Sequence, residues 1–175
     1  MDILSEVRSA EAVMAVRNSI SSGHYILSTI HADKASSIPN RMYSLLETNQ
    51  DIDQFLKSIY RYVQLGVHIR GQQDKTTKKF VREIAEVTEF YVTEDNEAKH
   101  NTLYKKTPEG RVFRNNPSKY LVEYLEIQGT KIPAGFIKEE YKGEEVLSQD
   151  TFKEPILPQT NTVINAPINN NEILF

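Results

Sequence analysis

The side chains best suited to chemistry stand close to the start of the chain, in two clusters. The first is Leu4-Ser5-Glu6-Val7-Arg8-Ser9-Ala10-Glu11-Ala12. An acid directly after a buried apolar strand, here Ile3-Leu4, sits at the carboxyl edge where open α/β sheets place their ligands. There Glu6 could hold magnesium through water or position an attacking water. The plainer account is a solvated acid paired with Arg8, since such pairs are common and individually weak. The second cluster is Gly23-His24-Tyr25-Ile26-Leu27-Ser28-Thr29-Ile30-His31-Ala32-Asp33. Two histidines bracket one apolar strand, and His31 emerges at its carboxyl end. If the two strands are parallel neighbours, His31 shares a sheet edge with Glu6. An imidazole there can donate to a phosphate oxygen or titrate near neutral pH. A satisfied structural histidine is the alternative for both His24 and His31. No third ligand lies at a ligand-like interval, so the spacing does not support a metal cage.

The elements that must position these groups read as α/β over residues 1–66. Ala12, Val13, Val16 and Ile20 fall at helical spacing from Ala10 to Ser22, with Gly23 as the stop. Tyr25 to Ile30 is rich in β-formers and nearly continuous in apolar character, which predicts a central parallel strand. Ser36 and Ser37 are expected to cap a short helix through Leu46, with Pro39 in its first turn. Ile52, Phe55, Leu56, Ile59, Tyr60 and Val63 make an amphipathic stripe, with Gly66 as its stop. Over residues 67–127 the period changes. Val67 to Arg70, a polar turn from Gly71 to Lys75, and Lys79 to Val92 predict a hairpin running into a long strand. Pro108-Glu109-Gly110 marks a second hairpin turn between Thr102-Leu103-Tyr104 and Arg111-Val112-Phe113. Asn116-Pro117 opens a short helix carrying Tyr120, Leu121, Tyr124 and Leu125, with Pro117 expected at its first position. Residues 128–175 are an extension. From 151 onward it holds three prolines and five asparagines without a period, and is expected to be a disordered tail.

Composition bounds the function classes. The 175 residues are 39% apolar and 26% charged with a net charge of −3, which gives no global electrostatic signal for nucleic acid. Cysteine is absent, which excludes disulfides, thiolate zinc sites and cysteine nucleophiles. No apolar run approaches a membrane span, and the first 20 residues lack a signal peptide's apolar core, so a soluble cytoplasmic protein is expected. His68 and His100 stand alone and read as structural or surface groups. Lys75, Lys78 and Lys79, and likewise Lys105, Lys106, Arg111 and Arg114, read as solvated turns, with contact to an acidic partner as the alternative. Phe90, Tyr91, Tyr120 and Tyr124 read as packing.

Taken together, the two clusters resemble the type II/IV secretion (traffic) ATPases. The family's Walker B box, aliphatics then glycine, glutamate, aliphatic, arginine, glycine, any residue, glutamate, alanine, is matched by Ile3 to Ala12. Its histidine box is matched by Gly23-His24 through Ser28-Thr29-Ile30-His31-Ala32-Asp33. Phe80-Val81-Arg82-Glu83-Ile84-Ala85-Glu86-Val87-Thr88 resembles the closing strand of the CpaF-like branch. Ser5 and Ser9 replace the box's two glycines, and Asp33 replaces an asparagine. No Gly-x-x-x-x-Gly-Lys-[Ser/Thr] occurs, so the backbone cradle and lysine of a P-loop are missing from these residues.

The resemblance implies a partial RecA-like P-loop NTPase core over 1–66, representing its C-terminal half and beginning inside the Walker B strand. It also implies ATP and Mg2+ as cofactors, with Glu6 on the magnesium and water side. Arg8 and Glu11 would organise the box or a subunit contact. His31, supported by His24 and Thr29, would sense the γ-phosphate, and Arg41 stands where the family's next helix carries an arginine. The implied partners are a homo-oligomeric, hexameric ring or a complementing ATPase half, together with inner-membrane secretion components. The location would be cytoplasmic or peripheral at the membrane's inner face. The chain alone is expected not to hydrolyse ATP. The rival expectation is a non-catalytic interaction module that docks on a secretion complex.

Overall fold

Alternation and helical stripes of the kind described above build a mixed α/β structure, in a computed structural model that describes residues 2–46, 51–74, 76–135 and 137. The elements are β1 (Asp2–Val7), α1 (Ala10–Ser21), β2 (Ile26–Ile30), a 3-10 turn (Ala35–Ser37), α2 (Ile38–Ser44), α3 (Ile52–Tyr62), β3 (Leu65–Gln73), β4 (Phe80–Val92), β5 (Ala98–Lys106), β6 (Val112–Arg114) and α4 (Lys119–Ile127). β1 and β2 form a parallel pair with Glu6 opposite Thr29 and Val7 opposite Ile30. β3-β4-β5-β6 form an antiparallel sheet in sequence order.

Ser9 starts α1 by accepting from the Ala12 amide, which satisfies one of the donors that a helix N-terminus leaves open. Its end is a Schellman motif: Gly23 N–H reaches the Ile20 carbonyl and His24 N–H the Ser19 carbonyl, with Gly23 at φ +85°. Val13 and Val16 on α1, Met42 and Leu46 from the α2 segment, and Phe55 and Ile59 on α3 bury themselves with Val7 in one core. The Ile59 side chain is fully buried, worth about 2–3 kcal/mol by area.

Several expectations are corrected. The β1–β2 pair is covered on one face only. Ile3 is 74% and Leu27 58% exposed, because all three covering helices pack on the side of Val7. β1 also continues through Val7, so Glu6 lies within the strand rather than after it. Ser37 occupies the cap position of α2 but makes no side-chain cap bond, since its backbone is already helical (φ −83°, ψ −8°) and a 3-10 turn leads in. α3 ends at Tyr62, where Val63 turns extended, so Gly66 is no helix stop. It belongs to β3, where a Cβ would meet Ile38 Cδ1 at 2.8 Å and Phe90 Cε2 at 3.0 Å. Gly71 likewise lies in β3 under the Phe80 ring, and the strand runs to Gln73. Pro117 precedes the cap of α4, which is Ser118, accepting from the Leu121 amide. The tail expected from residue 151 onward lies outside the described residues.

Glu86 and Glu89 are buried, although carboxylates are rarely enclosed unless they find partners. Glu83, Glu86 and Glu89 are spaced by three, which simple alternation cannot place consistently. The strand accommodates them through irregularities in its pairing, against β3 between His68 and Ile69 and against β5 between Val87 and Thr88.

Candidate functional site

Parallel pairing puts the carboxyl ends of β1 and β2 side by side, and with them Glu6 and His31. His31 Nε2 lies 2.8 Å from Glu6 Oε1, and Arg8 Nη2 donates to Glu6 Oε2. The imidazole contact is an ion-pair approach outside hydrogen-bond alignment. Oε1 is shielded from solvent and, beyond the His31 contact, accepts no hydrogen bond among the described residues. The Arg8 hydrogen bond holds the Glu6 carboxyl below the usual carboxylate range, against desolvation that pushes it up, with further help from the charges of Arg8 and His31. Glu6 is therefore an anion at neutral pH. The His31 side chain is 86% exposed and projects from the edge of the sheet.

Beside His31 opens a cleft of about 520 Å³, lined also by Ala32, Asp33, Ser37, Asn40, Arg41 and Ser44. The 3-10 turn and α2 build its wall, since Ser37, Arg41 and Ser44 follow one another at helical spacing on the exposed side of α2. Arg41 Nη1 donates to Ser44 Oγ at 3.3 Å. A hydrogen bond from Ser37, aided by backbone amides and Lys34, holds the Asp33 carboxyl below its ordinary value against desolvation.

Glu6, Arg8, His31 and Arg41 are thus gathered at one edge. Thr29 lies opposite Glu6 in register and is exposed. His24 is at the far end of β2, where its Nδ1 is 3.0 Å from Ser22 Oγ, so it stands apart from the other candidates. Glu11 sits in the first turn of α1, where Ser9 and its own backbone amide lower its pKa.

Two buried acids of β4 escaped sequence reasoning, and one of them reaches the segment beside the site. Glu86 Oε1 accepts from the Ser36 amide at 2.9 Å, tying β4 to the turn that follows His31. Glu89 holds Ser118 N at 2.7 Å, Ser118 Oγ at 2.9 Å and Asn101 Nδ2 at 2.5 Å, anchoring the start of α4. The only hint of either in the sequence is the three-residue spacing of the acids.

Among the described residues no group of three or more His, Cys, Asp or Glu side chains could hold a metal by itself. The ionised, partly exposed Glu6 carboxylate does fit a cation bound through water, with other ligands supplied from elsewhere. No described helix is long and apolar enough to cross a membrane. None of the curated proteins compared matches the chain. The family model described as type II/IV secretion system protein does match, over residues 2–116, a span holding both strand-end clusters and the antiparallel sheet. With two thirds of its length covered by that match, the chain belongs to the type II/IV secretion system protein family.

Proposed function

We propose that this chain is the Walker B and histidine-box portion of a secretion traffic ATPase, of the CpaF-like branch. In this reading residues 1–66 are the C-terminal half of a RecA-like core, 67–127 a β-rich segment and 128–175 an extension. The observation that carries it is the meeting of Glu6 and His31 at the carboxyl ends of two parallel strands. That is where a carboxylate facing water and an imidazole facing a phosphate have to stand.

Glu6, kept ionised by Arg8, accepts hydrogen bonds from water at its partly exposed carboxylate and orients it. His31, exposed and in contact with Glu6, donates to a terminal phosphate oxygen and so reports its presence to the β2 edge. Arg41, across the same cleft, supplies a fixed positive charge toward phosphate oxygens. Magnesium, when bound with ATP, neutralises charge on the phosphates, and Glu6 would hold its water shell. Glu11 and Arg8 organise the loop into α1, while Thr29 and His24 support β2.

No P-loop motif occurs in these 175 residues, so the phosphate cradle must come from another segment or polypeptide. The active form in this reading is a ring or a complemented pair at the cytoplasmic face of the membrane, working with membrane-embedded secretion components. The chain by itself is expected to show no ATP turnover. Mixed with a polypeptide carrying the P-loop half of such an ATPase, it should restore turnover, and Glu6→Gln or His31→Ala should reduce it by about 10²-fold or more. Turnover that is unchanged in both variants would overturn the assignment of these residues.

A non-catalytic docking module is the second reading. It is favoured by the exposure of Ile3, Leu27, Ile69, Ile84 and Phe80 on open sheet faces. It predicts that secretion is indifferent to Glu6 and His31 but sensitive to charged substitutions at Ile69 or Ile84.

A further inference from the structure

On the other side of Asp33 from the His31 cleft lies a second concavity, between the segment after β2 and the four-stranded sheet. Its volume is about 400 Å³, within the range of small-molecule sites. Five cations line it, Lys34, Arg70, Lys105, Lys106 and Arg111, along with His68. The chain as a whole is acidic, so this concentration is local.

Three carboxylates also border the groove, and each of them is engaged with a neighbour. Asp33 is hydrogen-bonded to Ser37, and Glu86 accepts from the Ser36 amide and the Thr88 hydroxyl. Glu109 stands at the β5–β6 turn. Glu83 holds Arg70 at 2.5 Å and Lys106 at 2.6 Å, which fixes both cations in place. Lys34 and Arg111 take part in no ion pair among the described residues. Arg70 lines the groove, while its Nε is shielded from solvent and its Nη2 donates to Glu83 and to the Thr107 carbonyl. Apolar contributions are limited to Ala85, Pro108 and Phe113.

We propose that this groove binds an oligophosphate, the class of anion that several fixed and flexible cations around one concavity are suited to hold. The site lies outside the Glu6–His31 edge and does not depend on the function proposed for that edge. The phosphate chain could be free or belong to a nucleotide, because the lining selects for phosphates.

The test is titration of the full chain with sodium tripolyphosphate, followed by calorimetry and by amide chemical shifts. Saturable binding that weakens with added salt is expected. Lys34→Ala and Arg111→Ala, both at exposed positions, should each weaken it by roughly three- to tenfold. Lys79→Ala, on the distant β3–β4 turn, should leave it unchanged. In a parallel titration, ATP binding no tighter than tripolyphosphate identifies a free oligophosphate as the ligand, and tighter ATP binding identifies a nucleotide. Absence of saturable binding overturns the proposal. So does wild-type affinity in both groove variants.

Discussion

Glu6 and Glu89 show how opposite environments act on the same side chain. Glu6 receives a hydrogen bond from Arg8 and is held below the ordinary carboxylate value of 4.5, while burial raises Glu89 above it despite its contacts with Asn101 and Ser118. Replacing Arg8 by Ala removes the largest influence on Glu6. Its carboxyl should then titrate at higher pH, a change readable as a carbon-13 shift titration of the side-chain carboxyl. No upward movement would show that Arg8 is not what keeps Glu6 ionised. At Glu89 the contacts are structural. Glu89→Ala takes the acceptor from the Ser118 N–H and hydroxyl and from one of the two Asn101 amide hydrogens (the other keeps the Asn116 carbonyl) and should cost about 2–4 kcal/mol in denaturant unfolding. Glu89→Gln keeps an acceptor for Ser118 N–H and should cost well under half of that. Equal losses in the two variants would mean that volume, and not the hydrogen bonds, sets the requirement.

The elements meet where glycine lets them approach. Gly66 in β3 lies against Ile38 of α2, Phe90 of β4 and the Ala35 carbonyl, the last at 3.2 Å from a would-be Cβ. Gly66→Ala therefore presses on a buried ring and on backbone, and should destabilise by about 1–3 kcal/mol. Gly71→Ala makes a closer clash on paper, 2.4 Å to Phe80 Cζ, but that ring is 62% exposed and free to swing outward. Its cost should be the smaller of the two. Thermal unfolding of both variants decides it, and a larger loss at Gly71 would mean that the Phe80 ring is locked in place. The same junction links the site to the sheet, because Glu86 on β4 holds the Ser36 amide a few residues after His31.

For the whole molecule, these carboxylates shape the dependence of stability on pH. Lys106 first, then Arg70, hold Glu83 below 4.5. Its stabilisation is present above that ordinary value and is lost as pH falls through the lowered folded-state value. Glu89 has the opposite sign: its contribution is fully present below 4.5 and declines as pH rises through its raised value. Glu83→Gln should accordingly flatten the acid limb of a melting-temperature profile. Glu89→Gln should remove a decline on the side above 4.5 and leave the acid limb in place. A Glu83→Gln profile that superimposes on wild type would show that the Arg70–Glu83–Lys106 bridge contributes nothing to folding.

Much of the architecture was legible before any coordinates, because it is written in local chemistry. The α1 stripe with its glycine stop, the α3 stripe, the two hairpins and the α/β character of the first 66 residues follow from periodicity and turn residues that act within a few positions. The clustering of Glu6 with Arg8, and the place of His31 at a strand end, belong to the same local grammar. Three things were decided only by tertiary structure. The first is the face of the β1–β2 pair that stays open: an apolar run such as Ile26-Leu27 is compatible with one covered face or two, and only the helices that pack on it choose. The second is the burial of Glu86 and Glu89, which depends on pairing irregularities and on donors 29 and 50 residues away in the chain, Ser118 and Ser36. The third is the separation of His24 from His31. Both flank β2, but a strand carries its two ends apart, so only the histidine at the carboxyl end reaches Glu6. Spacing along a chain sets the period of an element, whereas contact between elements depends on which surfaces find partners across it.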